Sequence, residues 1–239
     1  MRFRSWATTH NGAVRTHNED RFVDRPALGL WAVADGAGGH QAGEVASGMI
    51  AETLDAIPEG LPPADLLMEV RNRIGATHTA LCEEAARRGP HTVIASTIVV
   101  LIARDSYFAC LWAGDSRVYL LRDGVMTQIT RDHSLVQELV EQGAIRPEEA
   151  EGHPHANIIT RAVGAEADGF ELDKVSGPIL PGDIFLLCSD GLCKTLPDTE
   201  IADMLAPGAS EKVTDTMITE ALARHVNDNV TAVSVAALG

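Results

Sequence analysis

The sequence predicts an α+β fold in which an antiparallel β-sheet core carries helices on its outside. Six apolar runs, several of them rich in valine and isoleucine, are bounded by glycine, aspartate or proline, as buried strands usually are. Several of these runs follow one another with no helical stretch between them, which disfavours a βαβ array. Three longer stretches have the spacing of amphipathic helices, so the chain supplies both kinds of layer.

The predicted elements lie along the whole chain. Strands are predicted in residues 22–34, 92–103, 107–113, 118–121, 184–188 and 230–238. Helices are predicted in residues 42–56, 64–88 and 210–224. Asp123-Gly124 lies between two strand-like runs, which is a strong hairpin signal.

Length, composition and charge restrict the classes of function. A chain of 239 residues fits one domain, residues 1–239, with a sizeable core. No run is long enough for a transmembrane helix and the N-terminal residues lack the apolar core of a signal peptide, so a cytoplasmic location is expected. The net charge of −15 disfavours nucleic acid and anionic membranes as partners, because phosphate groups would repel it.

The pattern loosens between about residues 131 and 168. A short helix is predicted to begin near Ser134, with Gln137 completing a capping box. The rest of this segment is predicted to be a long surface excursion. Long loops in compact domains often act as lids over functional sites.

Four aspartates lie beside the ends of strand-like runs. Asp35, Asp115 and Asp190 each end an apolar run at a predicted tight turn, and Asp228 comes just before the last run. Each could be only a turn residue. Together they could meet at one rim of antiparallel sheets, where clustered carboxylates need protonation or cations. Oxygen ligands without histidine or cysteine favour Mg²⁺ or Mn²⁺.

Residues near the N-terminus add an anion-binding element. The stretch 12–20 contains Arg15, Glu19 and Asp20, and an arginine near a cation site suits a phosphate group. An exposed charged turn is the alternative. The glycine-rich DGAGGHQAG matches neither the P-loop nor the dinucleotide pattern, but glycine beside Asp35 lets a backbone carbonyl approach an ion.

Taken together, these segments resemble the metal-dependent serine/threonine protein phosphatases of the PP2C (PPM) family. The matching segments are RTHNED (15–20), VADGAGGHQAGEVAS (33–47), AGDSRVYLL (113–121), HPHANIITRAVG (153–164), GDIFLLCSDGL (182–192) and DNVTAVSV (228–235). The resemblance covers essentially the whole chain and is closest to short bacterial members. It implies a four-layer αββα sandwich, two antiparallel sheets flanked by pairs of helices, with residues 131–168 as a mobile flap.

The resemblance also implies a centre of two Mn²⁺ or Mg²⁺ ions and allows a third. Asp35 would bridge the two ions and the Gly36 carbonyl would bind one of them. Asp190 and Asp228 would hold the other. Asp115 would join Asp190 at the third metal site of bacterial relatives.

Three further residues match family positions around the reaction. Glu19 and Asp20 match outer-sphere residues that order metal-bound water, and Arg15 matches the phosphate-binding arginine. The implied reaction is attack of a metal-bridging hydroxide on phosphoserine or phosphothreonine. Animal members have a candidate general acid, histidine, where this chain has Ala37, so the leaving group must take its proton from elsewhere. His40 is the nearest histidine, and a structural role is favoured for it.

The partners that the resemblance implies are phosphorylated proteins, with a cognate bacterial Ser/Thr kinase and its substrates, and a monomer is expected. A pseudophosphatase that binds phosphoproteins is one alternative, although the complete acid set and Arg15 argue against it. A phosphatase of anti-sigma antagonists is another, although those enzymes usually carry sensor or membrane domains. The architecture also resembles stand-alone phosphatases associated with type VI secretion.

Overall fold

The computed structural model describes residues 1–38, 42–150, 152–165 and 170–239. The strands in these ranges are β1 (Arg2–His10), β2 (Asp20–Arg25), β3 (Leu30–Ala37), β4 (Ala95–Ser96), β5 (Ile98–Arg104), β6 (Tyr107–Ala113), β7 (Arg117–Arg122), β8 (Val125–Gln128), β9 (Asp173–Pro178), β10 (Ile184–Cys188) and β11 (Val230–Leu238). The helices are α1 (Ala42–Asp55), α2 (Pro63–Arg88), α3 (Leu135–Glu141), α4 (Pro147–Ala150), α5 (Asp190–Cys193), α6 (Asp198–Leu205) and α7 (Glu211–Ala223).

The strands form two antiparallel sheets. One sheet has the order β1-β11-β10-β7-β8, and the other has the order β2-β3-β5-β6-β9 with β4 beside β3. Trp31, Phe185 and Val233 belong to a core cluster between the sheets. A second cluster joins α1 and α2 to one outer face, and a third joins α6 and α7 to the other. The α+β prediction of two antiparallel sheets with flanking helices is confirmed.

Helix positions follow the sequence periodicity closely. The predicted helices 42–56, 64–88 and 210–224 correspond to α1, α2 and α7 within two residues at each end. None of the helices among the described residues is both long enough and apolar enough to cross a bilayer. The apolar faces of the helices pack against the sheets, α1 and α2 on one outer face and α6 and α7 on the other.

Two of the predicted strands are interrupted. Residues 22–34 form the hairpin of β2 and β3 instead of one strand, because Pro26 opens a turn and Gly29 takes a φ of +69°. Residues 92–103 are broken at Thr97, which separates β4 from β5. Apolar character alone could not locate either break.

The position of Asp35 also corrects the sequence interpretation. Strand β3 continues to Ala37, so Asp35 and Gly36 lie within a paired strand and not at a turn after it. Asp115, by contrast, does follow a turn, since Gly114 has a φ of +113°. Asp190 begins the one-turn helix α5, and Asp228 lies two residues before the start of β11.

The segment predicted to be a surface excursion carries the short helices α3 and α4. Ser134 caps α3 by accepting a hydrogen bond from the backbone of Gln137, as predicted. The Gln137 side chain donates to Glu141 instead of returning to Ser134, so only half of the capping box forms. Isolated bridges at Ser134 and at Val163 attach the segment to itself and to the sheet.

Candidate functional site

The strand end that carries Asp35 is packed tightly against helix α1. Asp35 pairs with Asp20 across β2 and β3, and the backbone N–H of Gly36 donates to the Glu19 carbonyl at 3.2 Å. A Cβ added at Gly36 would lie 2.2 Å from the carbonyl oxygen of Gly43. Glycine is therefore required at position 36 by the close approach of the helix, which no side chain could tolerate.

Thr97, where the strand is broken, fixes the backbone of Asp35. The Thr97 N–H donates to the Asp35 carbonyl at 2.8 Å, and the Thr97 hydroxyl accepts from the Asp35 N–H at 3.2 Å. The same hydroxyl shares a hydrogen bond of 2.7 Å with the hydroxyl of Ser116. Thr97 thus ties the strand of Asp35 to the loop of Asp115. Sequence reasoning missed it, since its only signal is one polar residue inside an apolar run.

Asp20 is buried, with only 1% of its surface exposed, between the two sheets. Its Oδ2 atom accepts hydrogen bonds of 2.7 Å from the hydroxyls of Ser189 and Thr231. Its Oδ1 atom is buried and has no hydrogen-bond partner in the part of the chain that the structure describes. An unpartnered buried carboxylate oxygen is costly unless a donor or a cation completes it.

Asn229 fastens the N-terminal segment to the site. Its Nδ2 group donates to the backbone carbonyls of Asn11 and His17, and its Oδ1 accepts the Glu19 N–H at 2.8 Å. These three bonds fix where the chain between them runs. Asn229 was not predicted as a site residue, although it lies within the quoted segment DNVTAVSV.

Two basic side chains hold the remaining acids. Arg15 Nη2 donates to Asp228 Oδ2 at 2.9 Å, and both side chains are substantially exposed. Lys194 Nζ donates to Asp190 Oδ2 at 2.7 Å and to Asp115 Oδ2 at 2.9 Å. The Oδ1 atom of Asp115 is buried, and none of the described residues donates a hydrogen bond to it. Lys194 was not predicted, although it follows Asp190 at the helical spacing of four residues.

The clustered carboxylates disturb one another's ionisation. Burial first, and then the negative charges of the other site aspartates, raise the pKa of Asp35 well above its usual value. Burial raises the pKa of Asp20 to about 7 against the opposing effect of its hydroxyl donors. Burial, followed by the charge of Asp190, raises the pKa of Asp115 to about 6. Burial also raises the pKa of Glu19. The site is therefore short of positive charge.

This donor set fits hard divalent cations, because it offers oxygen ligands, excess negative charge and unpartnered carboxylate oxygens. The acids do not yet form a closed ligand cage: over the ranges that the structure describes, no group of three or more His, Cys or acidic side chains is arranged to hold an ion. Asp190 and Asp228 are engaged by Lys194 and Arg15. An ion bound to the same Oδ2 atom of either acid would compete with the basic partner of that acid.

A cavity of about 730 Å³ opens beside these groups. Arg15, Asp115, Asp190 and Asp228 contribute to one side of its lining. Gln137, Pro147, Ala150, Ala156 and Asn157 of the segment predicted as a flap also line it. The segment therefore forms part of the wall of the candidate site.

The structure brings most of the predicted site residues to one end of the sheets. Asp20, Asp35, Asp115, Asp190 and Asp228 are close enough to influence each other electrostatically. Ala37 ends β3 opposite Ala95 and carries no proton donor. His40 lies outside the described residues.

Comparisons with known proteins show which sequences and structures this chain is similar to. The family described as "Protein phosphatase 2C" matches residues 9–229. The "Serine/threonine phosphatase stp" of Listeria welshimeri is 37% identical over 236 residues, which cover 95% of this chain and 93% of the relative.

Two solved structures are similar over nearly the whole chain. PppA, described as a key regulatory component of T6SS in Pseudomonas aeruginosa, has a TM-score of 0.91 and 42% identity, covering 100% of this chain and 99% of its own. The catalytic domain of the phosphatase PstP, in complex with two manganese ions, has a TM-score of 0.85 and 34% identity, covering 99% of each chain.

Proposed function

The chain belongs to the protein phosphatase 2C family, and on that premise we propose that it hydrolyses phosphoserine and phosphothreonine in proteins with the help of bound divalent cations. The observation that carries the proposal is the convergence of five aspartates beside a cavity that Arg15 also lines. Among the residues that the structure describes, Asp20 and Asp115 each keep a buried carboxylate oxygen without a hydrogen-bond partner, so the negative charge of the cluster is not compensated from within it.

The proposed cofactors are two Mn²⁺ or Mg²⁺ ions. Asp35 and the Gly36 carbonyl would hold one ion, and Asp35, Asp190 and Asp228 would hold the other. When bound, such ions activate water near neutral pH and neutralise charge on the phosphate. The PstP structure with two manganese ions supports the type and number of ions.

The chain's own groups would orient the reactants. Arg15 stands at the cavity with an exposed guanidinium, and breaking its exposed contact with Asp228 would free two parallel N–H groups for phosphate oxygens. The Oδ1 atom of Asp20, which has no hydrogen-bond partner among the described residues, would accept a hydrogen bond from water bound at the centre. Glu19 stands beside it, with its backbone fixed by Asn229.

Ala37 stands where animal members of the family have a histidine that is a candidate general acid. Ala37 cannot donate a proton, so the departing serine or threonine oxygen would be protonated by water in the cleft. Hydrolysis of a phosphoserine or phosphothreonine ester releases a strongly basic alkoxide, so both substrates need a proton donor for the leaving oxygen.

The proposed substrates are phosphorylated proteins, and the proposed role is to oppose a bacterial Ser/Thr kinase. The similarity to PppA, a regulatory component of T6SS, supports a role in type VI secretion control. We propose that the enzyme acts as a monomer, with the cavity beside residues 131–165 receiving the phosphorylated segment.

Hydrolysis of p-nitrophenyl phosphate and of a phosphothreonine peptide tests this function. Activity is expected with Mn²⁺ and should disappear with excess chelator. Asp35→Asn should lower kcat/KM by more than about 100-fold, since even outer-shell partners of a metal are worth about 10–100-fold. Asp123→Asn is the matched control, because Asp123 precedes a glycine in the distant hairpin of β7 and β8. Absence of metal-dependent hydrolysis in the folded parent protein would refute the proposal.

A further inference from the structure

A basic side chain of the protein lies between the two acids to which the family resemblance assigns a third metal ion. Lys194 Nζ is 2.9 Å from Asp115 Oδ2 and 2.7 Å from Asp190 Oδ2. Asp115 is only 2% exposed, whereas 29% of the Lys194 side chain is exposed. The ammonium group therefore reaches from the cavity wall down to a buried carboxylate.

Local structure directs Lys194 to this place. Helix α5 begins at Asp190 and makes a single turn, and the Lys194 N–H donates to the Asp190 carbonyl at 2.8 Å. The i,i+4 spacing puts both side chains on one face of the turn. The Nζ group also donates to Asn157 Oδ1 at 3.3 Å, so the ammonium contacts two acids and the segment beside the cavity.

The ammonium and a third metal ion exclude each other. A Mg²⁺ ion bound to the same two carboxylate oxygens would lie about 2.0–2.1 Å from each, which is inside the volume that the Lys194 ammonium fills. Both groups also carry positive charge, so they would repel each other at this distance. The position can hold one of them at a time.

The charge balance favours the ammonium. The Lys194 ammonium lies 2.7 Å from Asp190 Oδ2 and 2.9 Å from Asp115 Oδ2, so one positive charge of the chain faces two negative charges. A cation attached to the chain also needs no metal in solution to remain in place.

We propose that Lys194 is a built-in cation that takes the place of a third metal ion, so that the metal centre of this protein binds two divalent ions. The inference rests on the proposed two-metal function, but it concerns ion number and not hydrolysis. The third ion expected as a possibility from the resemblance does not fit the residues present, because its position is filled by Lys194.

Equilibrium dialysis against Mn²⁺, followed by metal analysis, tests the inference on the intact protein. The parent protein should bind two ions per chain and Lys194→Ala should bind three. The double variant Lys194→Ala/Asp115→Asn should return to two ions, which would locate the added ion at Asp115. Lys194→Arg, which keeps the charge, and Lys174→Ala, an exposed lysine on β9, should both bind two.

Three ions on the parent protein, or two ions on folded Lys194→Ala, would overturn the inference. If Lys194→Ala does not fold, Lys194→Gln replaces it, since glutamine removes the charge and keeps a hydrogen-bond donor; folding is checked by circular dichroism. Ion number does not depend on turnover. A rise from two to three in a protein without phosphatase activity would support the role of Lys194 while refuting the proposed function.

Discussion

Asp20 and Thr231 are joined across the two sheets: the Thr231 hydroxyl on β11 donates to Asp20 Oδ2 on β2 at 2.7 Å. Because that hydroxyl has one proton and gives it to Asp20, it accepts its second hydrogen bond from the hydroxyl of Thr9, also at 2.7 Å. Thr9 in turn accepts from Asn18 Nδ2 at 2.8 Å. A continuous chain of hydrogen bonds therefore runs from the N-terminal segment to a buried acid of the candidate site.

Thr231→Val should destabilise the fold by about 1–3 kcal/mol, because it removes one of two donors from a buried carboxylate while keeping the shape of the side chain. Urea unfolding measures the loss. Thr231→Ser keeps the hydroxyl and is the matched control, for which a much smaller loss is expected. Equal losses in the two variants would show that packing, and not the hydrogen bond, accounts for the effect.

Gly36→Ala should destabilise the fold by at least about 1–3 kcal/mol, since the new methyl group would meet the Gly43 backbone oxygen at 2.2 Å. Neither backbone can shift easily, because Gly36 is paired in β3 and Gly43 belongs to the first turn of α1. Urea or thermal unfolding gives the change in stability.

The control for Gly36 lies in the same helix. Gly48 has nothing within 4 Å of an added Cβ, so Gly48→Ala should stabilise the protein by about 0.5–1 kcal/mol through its helix propensity. Opposite signs are expected for the two substitutions. A stable Gly36→Ala variant would mean that the strand and helix are not held at this distance.

Strands whose side chains are mostly buried were predicted from the sequence, whereas half-exposed edge strands were missed. Strands β10 and β11 match the predicted runs 184–188 and 230–238 residue for residue, since almost every side chain in them is buried. Strand β1 was missed because its residues are half-exposed at a sheet edge and alternate polar with apolar. Strand β9 was missed because it carries charged residues, glycine and proline on an edge.

The site was predictable in its acids but not in their partners. The acids repeat a local pattern beside apolar runs, which a sequence displays directly. The partners of Asp20 lie 169 and 211 residues away from it, and no local pattern connects them. Lys194 was within reach of sequence reasoning, four residues after Asp190, but its second contact with Asp115 depends on how the sheets bring the two loops together.

The pH dependence of stability should include a contribution from His133. Its Nδ1 atom accepts the Gly114 N–H at 3.2 Å, so the neutral ring carries its proton on Nε2, 3.2 Å from Asp173. Burial, with the charges of Arg161 and Arg131, lowers the pKa of His133 against the opposing effect of Asp173. Between the folded pKa and the unfolded value of about 6.5, the unfolded chain binds more protons, so stability rises with pH and is fully present above about 6.5.

Unfolding in urea at a series of pH values measures this contribution. The slope attributable to one histidine is at most about 1.4 kcal/mol per pH unit, and His133→Asn should reduce the slope observed below about pH 6.5. His225→Asn is the control, since His225 is exposed and its backbone φ of 57° is one that asparagine tolerates. An unchanged slope in His133→Asn would contradict the assignment.

Arg15→Ala should separate stability from catalysis. The contact between Arg15 and Asp228 is an ion pair with 55% and 40% of the two side chains exposed, so its removal should cost no more than about 1 kcal/mol of stability. If Arg15 binds the phosphate through charge-assisted hydrogen bonds, kcat/KM for a phosphothreonine peptide should fall by about 10–100-fold.

Arg15→Lys should recover only part of this loss, because lysine lacks the planar pair of donors. Arg4→Ala on β1 controls for the change in net charge. Unchanged kcat/KM in Arg15→Ala would remove Arg15 from the substrate site and leave it as a partner of Asp228 alone.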